Sequence, residues 1–213
     1  MLLGVPVADG QDHYTNSVIG ISPNPDKPFY RYDKHHLVPF GEFIPTGFRW
    51  FVDWMRIPLG DFAAGNEVQQ PFAVNNVWIM PNICYEDLFG EEIARQLGEN
   101  EAEGKPVANL LLNVSNLAWY GESSAIPQHL QISRARALET GRTMLRSTNT
   151  GATAIISPKG KVLHLLAFDQ QGVISAKVQG YSGITPYVRY RNLPFLFLAS
   201  GTLLLGWWLG RKK

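Results

Sequence analysis

The chain has 213 residues, a formal net charge of +1 and an ordinary 45% of hydrophobic residues, which suits one domain with an appendage. Near-neutral charge, with no Lys/Arg cluster outside the last three residues, excludes the electrostatic footprint of a nucleic-acid binder. One cysteine and five scattered histidines give no zinc-ligand spacing, and Cys84 has no partner for an internal disulfide. Residues 2–7 form a short apolar run without a basic flank, which reads as a buried strand and not as a secretory signal. A turn at 9–12 and a second strand at 14–21 complete a predicted hairpin. Residues 22–28 carry three prolines and form a rigid connection, and 29–33 read as a third strand. Residues 34–45 form a defined loop, since Pro39, Gly41 and Pro45 fit neither a helix nor a central strand. Residues 48–57 place Trp50, Trp54 and Ile57 on one helical face; this suits either core packing or a membrane-interface segment.

Residues 59–70 are turn-rich, and 72–83 are expected as one apolar strand that ends at Cys84. A helix is predicted over 88–97 and a strand buried on both faces over 107–114. A loop at 115–121 precedes the clearest helix, 124–140. Ser123 or Ser124 can cap it, Pro127 lies in its first turn and Gly141 ends it. Short strands at 143–148, 152–156, 161–167 and 172–178 form a meander. Buried strands joined through helices, mixed with hairpins, indicate an α/β (α+β layered) domain over residues 1–180. Residues 181–192 read as a linker. Residues 193–210 carry no charge and end in Trp207 and Trp208, the pattern of a transmembrane helix with an interfacial aromatic belt. Residues 211–213 form a basic tail. Three positive residues follow the span and Arg189 and Arg191 precede it, so the charge rule puts the C-terminus in the cytoplasm and the domain outside it.

Cys84 stands where a strand gives way to a helix. The unpaired N–H groups of a first helical turn can lower a thiol pKa and bind a developing oxyanion. The plainer alternative is a buried cysteine acting as a small hydrophobe. Lys34 also sits at a strand end, where sites collect in layered α/β folds, and its ammonium would stabilise a thiolate.

Two sets of motifs carry a family resemblance. Lys34-His35-His36-Leu37-Val38-Pro39-Phe40-Gly41-Glu42, followed by Asn82-Ile83-Cys84-Tyr85-Glu86, resembles the nitrilase superfamily. Ser115-Asn116-Leu117-Ala118-Trp119-Tyr120-Gly121, Gln128-His129, Arg134 to Glu139 and Thr148-Asn149-Thr150-Gly151 resemble the apolipoprotein N-acyltransferase family within it. The resemblance implies an αββα sandwich, here N-terminally incomplete, with one C-terminal transmembrane helix. It implies Cys84 as nucleophile, Lys34 as its cationic partner and Glu42 as a second carboxylate. Tyr85 would supply an oxyanion-hole N–H, Glu86 would support the site, and Trp119 and Tyr120 would line the substrate entrance. The implied reaction moves a fatty acyl chain from a phospholipid to the N-terminal amine of an apolipoprotein's lipid-modified cysteine. A thioester on Cys84 is the intermediate, no cofactor or metal takes part, and the place is the bacterial inner membrane, with the domain on the periplasmic side. Two departures stand out. Residues 1–33 contain no glutamate, although the superfamily's general base precedes the lysine motif, so this stretch alone is expected to be inactive. Leu117 also stands where the family usually has aspartate. The competing readings are a nitrilase-type amidase, a non-catalytic lipid-binding fragment and, through His35, His36 or His129, a Cys–His protease.

Overall fold

A computed structural model describes residues 1–8, 14–22, 29–48, 50, 62–121, 123–168 and 170–211. Strands β1 (Leu2–Ala8), β2 (Tyr14–Gly20) and β3 (Tyr30–Asp33) form an antiparallel three-stranded sheet. A second sheet runs in the order β4 (Phe72–Val74), β5 (Val77–Ile83), β6 (Leu110–Ser115), β7 (Thr143–Thr148), β8 (Ala154–Ile156) and β9 (Val162–Leu165). Within it β5, β6 and β7 are parallel, and the flanking pairs are antiparallel. Helix α1 (Gly90–Ala102) connects β5 to β6, and α2 (Ala125–Thr140) connects β6 to β7. Such crossovers are what parallel pairing requires.

One core runs through these layers. Ile93, Ala94 and Leu97 of α1 and Ile126, Leu130 and Ala137 of α2 are buried with Met80, Leu111, Met144 and Ile156 of the larger sheet. Val18 and Tyr32 of the smaller sheet belong to the same cluster. The two sheets approach closely: a Cβ on Gly4 would lie 3.6 Å from Val114, and one on Gly20 would strike the Phe72 ring at 2.5 Å. The register sets Ile83 beside Val114 and Ser115 beside Thr148, so the three parallel strands end at one edge. The loops that leave that edge carry the chemistry.

Several expectations change on contact with the structure. Residues 72–83 are a hairpin, β4–β5, turning at Asn75 and Asn76, and not one strand. Asn75 adopts φ +52, a conformation asparagine tolerates better than most residues, and the apolar run on either side hid it. Residues 172–178 form no strand. The stretch 181–192 holds a short helix, α3 (Pro186–Tyr190), capped by the Thr185 hydroxyl accepting from the Val188 N–H at 3.1 Å. Val188 is buried, and its carbonyl lies 3.4 Å from where a Cβ on Gly98 of α1 would stand. This segment is therefore fastened to the domain. Most of the aromatic stretch 48–57 lies outside the described residues, as do Asp9, Asp12 and Asp26; Phe48 and Trp50 are exposed.

Helix α4 (Leu193–Gly210) has 18 residues, none of them buried. It is long and apolar enough to cross a membrane, at about 1.5 Å per residue against a hydrocarbon core of roughly 30 Å.

Leu111 lies on the central strand β6 and is fully buried. Its replacement by alanine removes core contacts that the surrounding sheet and helices can only partly close. Leu111→Ala is expected to lower stability by about 2–5 kcal/mol, seen as an earlier urea midpoint with an unchanged slope.

Candidate active site

Strand β5 ends at Ile83, and Cys84 opens a tight 3-10 turn, Cys84–Leu88. Cys84 has φ +50, the left-handed region that a Cβ makes unfavourable by roughly 1–2 kcal/mol. The surroundings hold it there. The Glu86 carboxylate, almost wholly buried, accepts from the Ile83 N–H at 2.6 Å and from the Tyr32 hydroxyl at 3.1 Å. It also accepts from the His35 N–H at 2.7 Å and the His36 N–H at 3.3 Å. One side chain thereby ties the end of β5 to β3 and to the loop that follows β3. Burial pushes the Glu86 carboxyl up, while these N–H donors and Lys34 pull it back down.

That loop begins with Lys34, which is 1% exposed. Its Nζ donates to Glu42 Oε2 at 2.7 Å. The same oxygen accepts from the Val38 N–H at 2.8 Å, and Glu42 Oε1 accepts from Asn16 Nδ2 at 2.9 Å. Both oxygens of Glu42 are thus engaged. The Lys34 backbone is clamped on both sides, its N–H donating to Asn16 O and its carbonyl accepting from the Gly65 N–H, each at 2.8 Å. Gly65 cannot carry a side chain, because a Cβ would stand 2.3 Å from the Asp33 carbonyl.

Cys84 is half-buried. Burial pushes its thiol up; the Lys34 ammonium and the backbone N–H groups of Asn116 and Tyr85 pull it down, and Glu42 opposes them. The net shift is upward, so the thiol awaits a base, but its environment already holds a cation and two N–H donors suited to an anion at sulfur or at a neighbouring oxygen.

The fold thus gathers Lys34, Glu42, Cys84, Tyr85 and Glu86 in one place. Trp119 and Tyr120 lie just past Asn116, in a short turn after β6, and both are exposed. Leu117 is buried: its N–H donates to Thr150 O at 2.9 Å and its side chain packs 3.3 Å from where a Cβ on Gly151 would stand. It follows β6 and packs into the core against the turn at the end of β7. Asp33 accepts from the Ser17 hydroxyl at 2.5 Å and from Arg31 Nε at 2.7 Å, so it braces the hairpin. None of the three tempting histidines spends its bonded ring nitrogens on the thiol. His35 Nδ1 bonds the Gly65 carbonyl, and His36 bonds Glu92 at 2.8 Å while stacking on Phe89. His129 reaches the Cys84 carbonyl through Nε2 at 3.2 Å.

Sequence reasoning missed a buried polar network beneath the turn. Asp87 Oδ2 accepts from the Ser133 hydroxyl and from Arg146 Nη1, the latter at 3.2 Å. Arg146 Nη2 lies 3.1 Å from His129 Nδ1, and its Nε donates to the Ala152 carbonyl at 3.1 Å. Beside it, Asn113 Nδ2 donates to Asn82 Oδ1 at 2.6 Å across the β5–β6 pair, and the Ser115 hydroxyl donates to Asn113 Oδ1. The available signal was a charged Arg146 in the middle of strand β7.

The chain matches the carbon-nitrogen hydrolase family model over residues 1–187 and belongs to that family. Its fold is shared with a carbon-nitrogen hydrolase from Helicobacter pylori G27 (TM-score 0.58, 14% identity, covering 80% of this chain and 59% of that one). It is shared equally with an amidase from Nesterenkonia sp. (TM-score 0.54, 16% identity, covering 79% and 57%). These likenesses bear on the nitrilase-like fold alone. Among curated proteins the chain is similar to the apolipoprotein N-acyltransferase of Ralstonia nicotianae, 54% identical over 213 residues, and to that of Nitrosomonas europaea, 46% identical over 220. All of this chain is covered in both, but only 39% and 42% of those proteins, so the chain spans about two fifths of their length.

The network has a pH signature. Burial, reinforced by the Arg146 cation, lowers the His129 pKa from 6.5 to about 4. A depressed folded-state value means that the associated stability is complete above 6.5 and is lost as pH falls towards 4, because the unfolded chain then binds the proton more readily. Between pH 7 and pH 4.5 urea unfolding is expected to lose roughly 2–3 kcal/mol that a His129→Gln protein retains.

Proposed function

We propose that this chain carries the nucleophile half of an N-acyltransferase site. It moves a fatty acyl chain from a phospholipid to the N-terminal amine of an apolipoprotein's lipid-modified cysteine. The observation that carries the reading is the meeting of a buried Lys34–Glu42 ion pair and two backbone N–H donors at the Cys84 thiol. The similarity to named apolipoprotein N-acyltransferases along the whole chain supports the acyl-transfer class.

In this reading Cys84 Sγ attacks the phospholipid ester carbonyl as its proton passes to a base. The Tyr85 N–H and the Lys34 ammonium stabilise the oxyanion of the tetrahedral intermediate. That intermediate collapses, the C–O bond breaks, and the lysophospholipid leaves with a proton, which leaves an acyl thioester on Cys84. The amine of the acceptor attacks the thioester, forms the amide and releases the thiol. Glu42 holds the Lys34 ammonium in place, because both its oxygens are already engaged there. Glu86 supports the site by joining the lysine loop to the cysteine turn. Trp119 and Tyr120, exposed beside Asn116, offer apolar surface to an incoming acyl chain. Helix α4 anchors the domain in the bacterial inner membrane, with the domain on the periplasmic side and the C-terminus cytoplasmic. This apolar helix favours a lipid substrate over the water-soluble substrate of an amidase.

The test replaces the aligned part of the Ralstonia nicotianae relative with residues 1–213. Incubated with phospholipid, the purified chimera is expected to gain an acyl mass on Cys84 that hydroxylamine removes and a lipoprotein acceptor discharges. Cys84→Ser is expected to lower transfer by at least about a thousandfold. Undiminished acylation by the serine variant, or amide hydrolysis without acyl transfer, would overturn the reading.

A further inference from the structure

We propose that His129, oriented by Arg146 and Asp87, is a positioning residue that aims the Tyr85 N–H at the Cys84 sulfur. The inference rests on the reading of Cys84 as nucleophile and goes beyond it, since it assigns work to a buried network that the mechanism above does not use.

A guanidinium has donors only, so Arg146 Nη2, 3.1 Å from His129 Nδ1, must donate to it. A neutral imidazole that accepts at Nδ1 carries its proton on Nε2. Nε2 therefore donates to the Cys84 carbonyl, 3.2 Å away. The guanidinium is itself fixed, by Asp87 Oδ2 at Nη1 and by the Ala152 carbonyl at Nε. Asp87 is held in turn by the Ser133 hydroxyl. Every member of this chain is buried.

The Cys84 carbonyl and the Tyr85 N–H belong to one trans peptide unit, so they point in opposite directions. Anchoring the carbonyl on His129, with a second and longer contact from Asn113 Nδ2 at 3.4 Å, turns the N–H to the other side. On that side the N–H acts on the Cys84 thiol and pulls its pKa down. The anchor is needed because Cys84 sits at φ +50, where the backbone gains from relaxing and a relaxed peptide plane would swing the N–H away. His129 touches neither sulfur nor substrate in this scheme. It acts through the peptide.

The readout is the rate of Cys84 alkylation by iodoacetamide as a function of pH, measured on the full 213-residue chain in detergent with folding followed by circular dichroism. His129→Leu removes the donor. His129→Gln returns an N–H near the position of Nε2, and His129→Asn carries the same amide one methylene too short. The leucine and asparagine variants are expected to shift the profile to higher pH and to slow alkylation at pH 7 by roughly three- to tenfold, since each pKa unit is tenfold in thiolate. The glutamine variant is expected to stay within about twofold of the parent. If His129→Leu does not fold, His129→Asn decides. Profiles that overlay the parent's, or a glutamine variant displaced as far as the asparagine one, would overturn the assignment. Alkylation requires no acyl donor, so a failure of acyl transfer in the chimera would remove the functional reading without touching this result.

Discussion

The Glu86 carboxylate is the constraint on which the site depends. Its donors come from β3, from the loop after β3 and from the end of β5. Those elements belong to two different sheets, and no local preference of the chain brings them together. Burying a carboxylate is unfavourable unless its lone pairs are satisfied, and here two N–H groups of the lysine loop supply half of that satisfaction. The loop and the turn are therefore joined through the two oxygens of one carboxylate, the loop's N–H groups at Oε1 and the Ile83 N–H at Oε2. Moving one away leaves a buried acceptor unsatisfied, at about 1–3 kcal/mol or more for a charged group. Lys34 and Cys84 inherit their separation from this joint.

Around it, each layer contributes a separate condition. Parallel β5, β6 and β7 end at one edge, which puts Cys84 and the loop that opens with Asn116 on the same side of the sheet. The Asn82–Asn113–Ser115 bonds stiffen the strands just below that edge. Helix α2 delivers His129 and Ser133 beneath the turn, and β7 delivers Arg146. The result is a rigid floor under a strained cysteine. Strain of this kind persists only where the surroundings over-determine it, and it commonly marks a functional position. The thiol remains on the neutral side, because burial outweighs the Lys34 cation. A neutral thiol of that kind is a weaker nucleophile than its thiolate.

How much of this was legible in the sequence depends on the residue. Lys34, Glu42, Cys84, Tyr85 and Glu86 lie within two short motifs whose spacing is local, so the residues could be named before their geometry was known. The bonding of Glu86 could not, since its partners Tyr32, His35 and His36 lie about fifty positions away in sequence. The hairpin at 72–83 was missed because Asn75 and Asn76 interrupt an otherwise apolar run by only two residues. Residues 181–192 looked like a connection; Val188 is buried there by contacts with α1 that composition does not announce. Leu117 drew notice as a departure from a family pattern, and burial shows its use in packing. Asp87 and Arg146 escaped notice because a charge on a predicted element is ordinarily a solvated one, and only the three-dimensional pairing shows both to be inside.

The central claim is that Glu86 acts on the thiol by holding Lys34 against it. A double-mutant cycle measures this directly, with Cys84 alkylation rates at fixed pH compared among the parent, Glu86→Gln, Lys34→Met and the double variant. The account predicts strong coupling: once Lys34 is methionine, replacing Glu86 should slow the thiol little further. Independent, multiplying effects of the two substitutions would show that Glu86 serves the thiol by some other route and would contradict the account.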